Sequence, residues 1–216
     1  MNKCIILSVK SEWLVKILNG EKTIEIRKSL PKCDYPIDVY LYCTKPNKSP
    51  NTSNGNKTQI LTLDESTNKY RLWRSSYGEV LNGKIVAKFK LNKAERFDVP
   101  YPAYFNEVKE RLQHIVDGSC LNFMDLHHYL GVSSGYAWHI DNLQIFDKPM
   151  ELNQFWKNNF DEDNAKPCNC SKYCEFQDYD YVENQPCCGI DYDGSSCPFL
   201  KVQRPSPSWC YAYKEE

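Results

Sequence analysis

The chain has 216 residues, with 27 Lys and Arg against 28 Asp and Glu, and 11 cysteines. That length holds one sizeable domain, or a domain with an appendage. A formal net charge of −1 excludes a globally basic nucleic-acid coat and leaves only a local basic surface open. With 41% hydrophobic and 25% charged residues the composition is globular, not disordered. No apolar run reaches the roughly 20 residues of a membrane span. The opening Met1–Ser8 turns polar too early for a signal-peptide core, so a cytoplasmic setting is expected. Thiols stay reduced there, and an odd number of cysteines calls for something other than paired disulfides.

Lys3–Val9 is a β-rich apolar run and is predicted as a first strand. Ser11 is the expected N-cap of a short helix whose Trp13, Leu14, Ile17 and Leu18 share one face, with Gly20 as its stop. Thr23–Arg27 alternates: Ile24 and Ile26 point inward, while Thr23, Glu25 and Arg27 share the opposite face. Asp38–Cys43 is a third strand, and 45–58 is an Asn-, Ser-, Lys- and Pro-rich loop. Lys69-Tyr70-Arg71-Leu72-Trp73-Arg74 is the strongest basic-aromatic cluster. It suits single-stranded nucleic acid, with Tyr70 stacking and Arg71 on phosphate, and equally a helix packing Leu72 and Trp73 on the body.

Lys84–Leu91 is the clearest alternating strand, with Lys84, Lys88 and Lys90 on its polar side. Helices are predicted around Tyr104–Ile115 and Leu121–Leu130, and one more strand over Tyr136–Ile145. In that strand Trp138 is the core anchor and His139 lies on the other face, as an ordinary polar residue or facing the site. His127 and His128 project about 100° apart on their helix, so they read as helix surface and not as a metal pair. Many short strands with helices at the periphery favour an α+β fold built on a small β-barrel over a doubly wound sheet. The barrel is assigned to residues 1–150 and an irregular Cys-rich extension, packed on it, to 151–216.

The segment Gly20-Glu21-Lys22-Thr23-Ile24-Glu25-Ile26-Arg27-Lys28 carries the most chemistry. A helix stops on glycine, and the next strand presents Lys22, Glu25 and Arg27 together. Arginine offers a planar donor fork, lysine a point charge, and glutamate an acceptor for an amino group, which together suit a phosphate or a base edge. The simpler alternative is a solvated strand face in which Glu25 pairs with Arg27 and Lys22 points at water.

This segment resembles the ASCH family of the PUA-like superfamily of small β-barrels, in its bacterial and prophage versions. The G-x-K-x-x-E-x-R pattern at Gly20, Lys22, Glu25 and Arg27 carries the resemblance. So do Ile5–Lys10, the helix Trp13–Leu18, and Val39–Cys43 with Thr44-Lys45-Pro46. Gly135–Ile140 with Asp147-Lys148-Pro149, and Ser206–Tyr211, match the later strands. The resemblance implies a cleft that binds RNA or a modified nucleoside, lined by Lys22, Glu25 and Arg27. Lys10, Tyr70 and Arg71 are expected to add nucleic-acid contacts.

Some members are hydrolases. One branch, similar at Gly20-x-Lys22-Thr23, removes the acetyl group from acetylated cytidine with a lysine base and a threonine nucleophile. Glu25 stands at that threonine's place, and a carboxylate cannot form the same acyl intermediate. Ribonuclease chemistry, with Lys22 or His139 as base and Arg27 on the phosphorane charge, is the other enzymatic option.

From Asp161 to Asp193 nine acids face two lysines, and seven cysteines crowd the end of the chain: Cys168, Cys170, Cys174, Cys187, Cys188, Cys197 and Cys210. Such a stretch holds too few aliphatic residues for its own core. Four of these thiolates could bind one structural zinc; free thiols and disulfides are the alternatives. The expected function is therefore an RNA- or nucleotide-binding ASCH-type module. A hydrolase acting on a modified nucleoside or on RNA, and a protein-interaction module, are the alternatives.

Overall fold

The computed structural model describes residues 2–45, 60–73, 79–158, 199–204 and 206–214. The first half runs β1 (Asn2–Val9), α1 (Ser11–Leu18), β2 (Ile24–Arg27), β3 (Ile37–Cys43), β4 (Ile60–Asp64), β5 (Lys69–Trp73), β6 (Ile85–Leu91) and β7 (Ala94–Asp98). The second half runs α2 (Phe105–Ser119), α3 (Phe123–Leu130), β8 (Ser134–His139), β9 (Asp141–Met150), β10 (Trp156–Asn158), β11 (Phe199–Lys201) and β12 (Trp209–Lys214). The fold is mixed α+β.

A seven-stranded sheet of order β11-β10-β12-β1-β3-β6-β9 organises it. The near-continuous apolar character of β1 follows from its place in the middle, where both faces are covered. Ile5, Leu7 and Val9 enter one core cluster with α1, Leu61, Phe89 and Trp138. Cys4 and Ile6 enter a second with Tyr40, Phe155, Val202 and Ala212. A third cluster lies where α2 and α3 cover the three-stranded sheet β2-β8-β7, around Ile24, Ile26, Leu112, Ile115 and Leu126.

Several expectations need correction. The predicted small barrel is not closed: β11 and β9 stand at opposite edges of the large sheet, and β2-β8-β7 and β4-β5 are separate sheets. The single strand predicted over Tyr136–Ile145 is two, β8 and β9, which part at Ile140 and join different sheets; the Ile140 N–H donates to the Thr23 carbonyl. The region after 150 is not wholly irregular, since β10, β11 and β12 are strands of the large sheet. Ser11 is not the N-cap of α1. Lys10 is, because its carbonyl accepts the Leu14 N–H at 2.9 Å, and no side chain caps the helix. Lys69–Trp73 is a strand, not a helix: Tyr70 and Leu72 are half-buried while Lys69, Arg71 and Trp73 are exposed, an alternation of period two. Of the predicted loop 45–58, residues 46–58 lie outside the described residues. Among the described residues no helix is long and apolar enough to cross a membrane.

Candidate functional site

Strand β2 is delivered to its place by two sharp events. Gly20, at a φ of 75°, ends α1 in the left-handed conformation that glycine adopts without strain. The Glu21 and Lys22 N–H groups then fold back onto the Lys16 carbonyl. The Thr23 N–H donates to the Gly118 carbonyl at 2.8 Å, which docks the start of β2 on the last turn of α2. A side chain at Gly118 has no room: a Cβ there would meet the Ile24 side chain at 2.8 Å.

Lys22, Glu25 and Arg27 come together, and not as a solvated face: their side chains are 3%, 8% and 11% exposed. Lys22 Nζ donates to the Ser119 carbonyl at 2.8 Å and stands 3.3 Å from Glu25 Oε2. Arg27 Nη2 lies 2.9 Å from Glu25 Oε1 and donates to the Ser8 carbonyl at 2.8 Å. Ser119 is the last residue of α2, so the ammonium satisfies a carbonyl that the helix cannot, at the negative end of its dipole. Burial pulls the Lys22 pKa below the ordinary lysine range, and the Glu25 carboxylate opposes that shift.

Among the described residues Arg27 Nε and Trp138 Nε1, both buried on this side of the β2–β8 pair, have no hydrogen-bond partner, and Glu25 Oε2 has only its ion pair with Lys22. Glu25 and Trp138 are cross-strand neighbours, so their side chains share a face. Aromatic rings border the group. Trp13 lies with its centroid 5.6 Å from Lys22 Nζ, and Trp209 lies 6.0 Å from Trp138 while its Nε1 donates to Ser29 Oγ. Two cations against one carboxylate leave this nearly closed site with an excess of positive charge when Lys22 is protonated.

The other candidates are placed elsewhere. His139 pairs with Ile24, one residue out of phase with Glu25, and so projects from the opposite face of the three-stranded sheet. There its Nε2 lies 3.9 Å from Glu95 Oε2, the same oxygen that meets His114 Nε2 at 3.0 Å. Lys10 is exposed and lies 3.8 Å from Glu12. Tyr70 is held by its backbone to the Asn19 side chain, through two bonds of 3.0 Å, and its ring packs on the core. Arg71 pairs with Asp64 at 3.1 Å across the β4–β5 hairpin. Cys168, Cys170, Cys174, Cys187, Cys188 and Cys197 lie outside the described residues. Cys210 sits in β12 opposite Ile6, packed against the second core cluster. Among the described residues no group of three or more His, Cys, Asp or Glu is arranged to hold a metal. Ser8 and Ser119, which complete the buried group through their carbonyls, have no local sequence signal, because each acts through its backbone from far along the chain.

No family model matches the sequence, and no curated protein does. Solved structures similar to this chain include the crystal structure of ASCH from Zymomonas mobilis, at 16% identity and a TM-score of 0.42, covering 69% of this chain and 74% of that one. Two single-substitution mutants of the same Zymomonas mobilis protein are similar at 16% identity. One has a TM-score of 0.42 and covers 71% of this chain and 78% of its own. The other has a TM-score of 0.43 and covers 69% and 75%. The proteins so found bear the name of the family that the sequence resembles.

Proposed function

We propose that this chain is a cytoplasmic, ASCH-type module that binds RNA or a nucleotide at the Lys22–Glu25–Arg27 group. The observation that carries the reading is a pair of buried N–H donors without a partner, Arg27 Nε and Trp138 Nε1, on one face with a Glu25 carboxylate oxygen held only by the Lys22 ion pair, beside tryptophan rings. A buried polar atom without a partner costs free energy, and a ligand that supplies the missing acceptors and donor recovers it. A base edge offers both kinds of group, and the excess positive charge suits a phosphate.

Fluorescence anisotropy with labelled single-stranded RNA, and calorimetry with nucleotides, test the reading. Binding at low salt that weakens steeply as salt rises, and is lost in Arg27→Met, is the expected result. Absence of any response at low salt overturns it, and a protein-interaction module then becomes the default.

A second reading rests on Lys22. Burial lowers the Lys22 pKa and so favours the neutral amine that a general base requires, and a hydrolase acting on a modified nucleoside or on RNA uses the same group. Turnover of acetylated cytidine or RNA that vanishes in Lys22→Met supports it; turnover unchanged in that variant removes it. The zinc reading of the late cysteines belongs to this proposal as a structural element only, replacing a core that the acidic stretch cannot form.

A further inference from the structure

Between the β4–β5 hairpin and the β6–β9 part of the large sheet lies a cavity of about 710 Å³, the size of a small-ligand site. It shares no lining residue with the Lys22 group, and its charge has the opposite sign. Among the described residues every charged one that lines it is acidic: Asp64, Glu65, Glu79 and Asp147. Arg71 pairs with Asp64 at 3.1 Å and Lys84 with Glu79 at 3.0 Å, both from outside the lining. Glu65 and Asp147 have no ion pair among the described residues.

The apolar part of the lining is equally distinctive. Tyr70, Trp73 and Phe146 supply three aromatic rings. Leu63, Trp73 and Ile145 are each 37% exposed and add apolar surface to it. Thr62 also lines the cavity. It is fully buried, and its hydroxyl has no hydrogen-bond partner. Burial, followed by the Asp147 carboxylate, raises the Tyr70 pKa, so that carboxylate acts on the ring that forms part of the wall.

We propose that this cavity binds an organic cation, an alkylammonium or guanidinium group on an apolar stem, through Glu65 and Asp147 against the rings of Tyr70, Trp73 and Phe146. Carboxylates give such a group charge-assisted hydrogen bonds, ring faces attract it through their quadrupoles, and the apolar rim takes the stem. Among the described residues the lining holds no positive side chain, so its charge favours a cation over an anion. Two sources carry the same chemistry: a free amine, or a Lys or Arg side chain on a peptide.

Isothermal titration of the full chain with agmatine, with an acetylated Gly-Arg-Gly peptide and with glutarate tests the site. Agmatine or the peptide binds and glutarate does not; whichever of the two binds more tightly names the source. Glu65 and Asp147 are exposed, so Glu65→Gln and Asp147→Asn leave the fold intact. Each weakens binding by about tenfold, and Trp73→Ala does so by a similar factor. Added salt weakens it further. Titrations flat with both cationic probes, or an affinity unmoved in Asp147→Asn and Glu65→Gln, overturn the proposal. RNA binding unchanged in these variants keeps this result separate from the Lys22 reading.

Discussion

Lys22 Nζ donates to the Ser119 carbonyl at 2.8 Å, joining two buried residues 97 positions apart. That bond ties the strand carrying Glu25 and Arg27 to the C-terminal end of α2. Lys22→Met removes the donor, leaves the helix end unsatisfied and deprives Glu25 of one of its two cations. The expected loss is about 3 kcal/mol of unfolding free energy in urea titration. In a double-mutant cycle Lys22→Met and Glu25→Gln together cost less than their sum, by at least about 0.5 kcal/mol. Strict additivity would show that the pair is not coupled.

Gly118→Ala tests the docking of α2 on β2. Alanine is the better helix former by close to 1 kcal/mol, so an exposed position would gain stability. Here the added methyl meets the Ile24 side chain at 2.8 Å and the Thr23 hydroxyl at 3.1 Å. Overpacking wins over propensity, and thermal unfolding shows a net loss of about 1–2 kcal/mol. A variant as stable as the parent would mean that the helix can retreat without cost.

Two buried thiols, with the buried Tyr40 hydroxyl, tie stability to alkaline pH. Burial pushes Cys4 and Cys43 up from 9.0 to about 12. The folded pKa exceeds the unfolded one, so above pH 9 the unfolded chain loses these protons first and the folded state holds more. Stability therefore falls as pH rises from 9 towards 12, by up to about 1.4 kcal/mol per pH unit for each thiol. Urea midpoints at pH 8, 9 and 10 measure the slope. Cys43→Ala makes it shallower, and an unchanged slope in that variant would assign the effect elsewhere.

Much of this architecture is legible in the residues, and the misses have physical reasons. Alternation located β2 and β6, and the apolar run of Asp38–Cys43 located β3, which is buried on both faces. The G-x-K-x-x-E-x-R spacing brought Lys22, Glu25 and Arg27 together correctly. It did not tell that the face is buried, since what covers it, the end of α2 and Ser8, comes from distant segments. The β5 strand was open to a helical reading because five residues hold little more than one helical turn. The break at Ile140 has no glycine or proline to mark it; pairing of Ile140 with Thr23 creates it. The one-residue offset that sends His139 to the far side depends on which residue faces Glu25, and only register fixes that.

Metal analysis of freshly purified protein decides the role of the late cysteines. A four-thiolate site among Cys168, Cys170, Cys174, Cys187, Cys188, Cys197 and Cys210 predicts about one equivalent of zinc, lost on acidification as the thiolates protonate. Less than about half an equivalent would remove the zinc reading.

Strand β12 lies between β1 and β10 and pairs with β1 along Asn2–Leu7. On the ribosome β1 emerges long before β12, the strand that flanks it. Until residues near 214 have emerged, β1 can pair with β3 on one side only, and its other edge is a row of open backbone donors and acceptors. Closing that edge spans most of the chain, a high contact order that slows folding and prolongs exposure to wrong pairing. A central, largely buried strand of the sheet is thus also the one whose completion waits longest during synthesis.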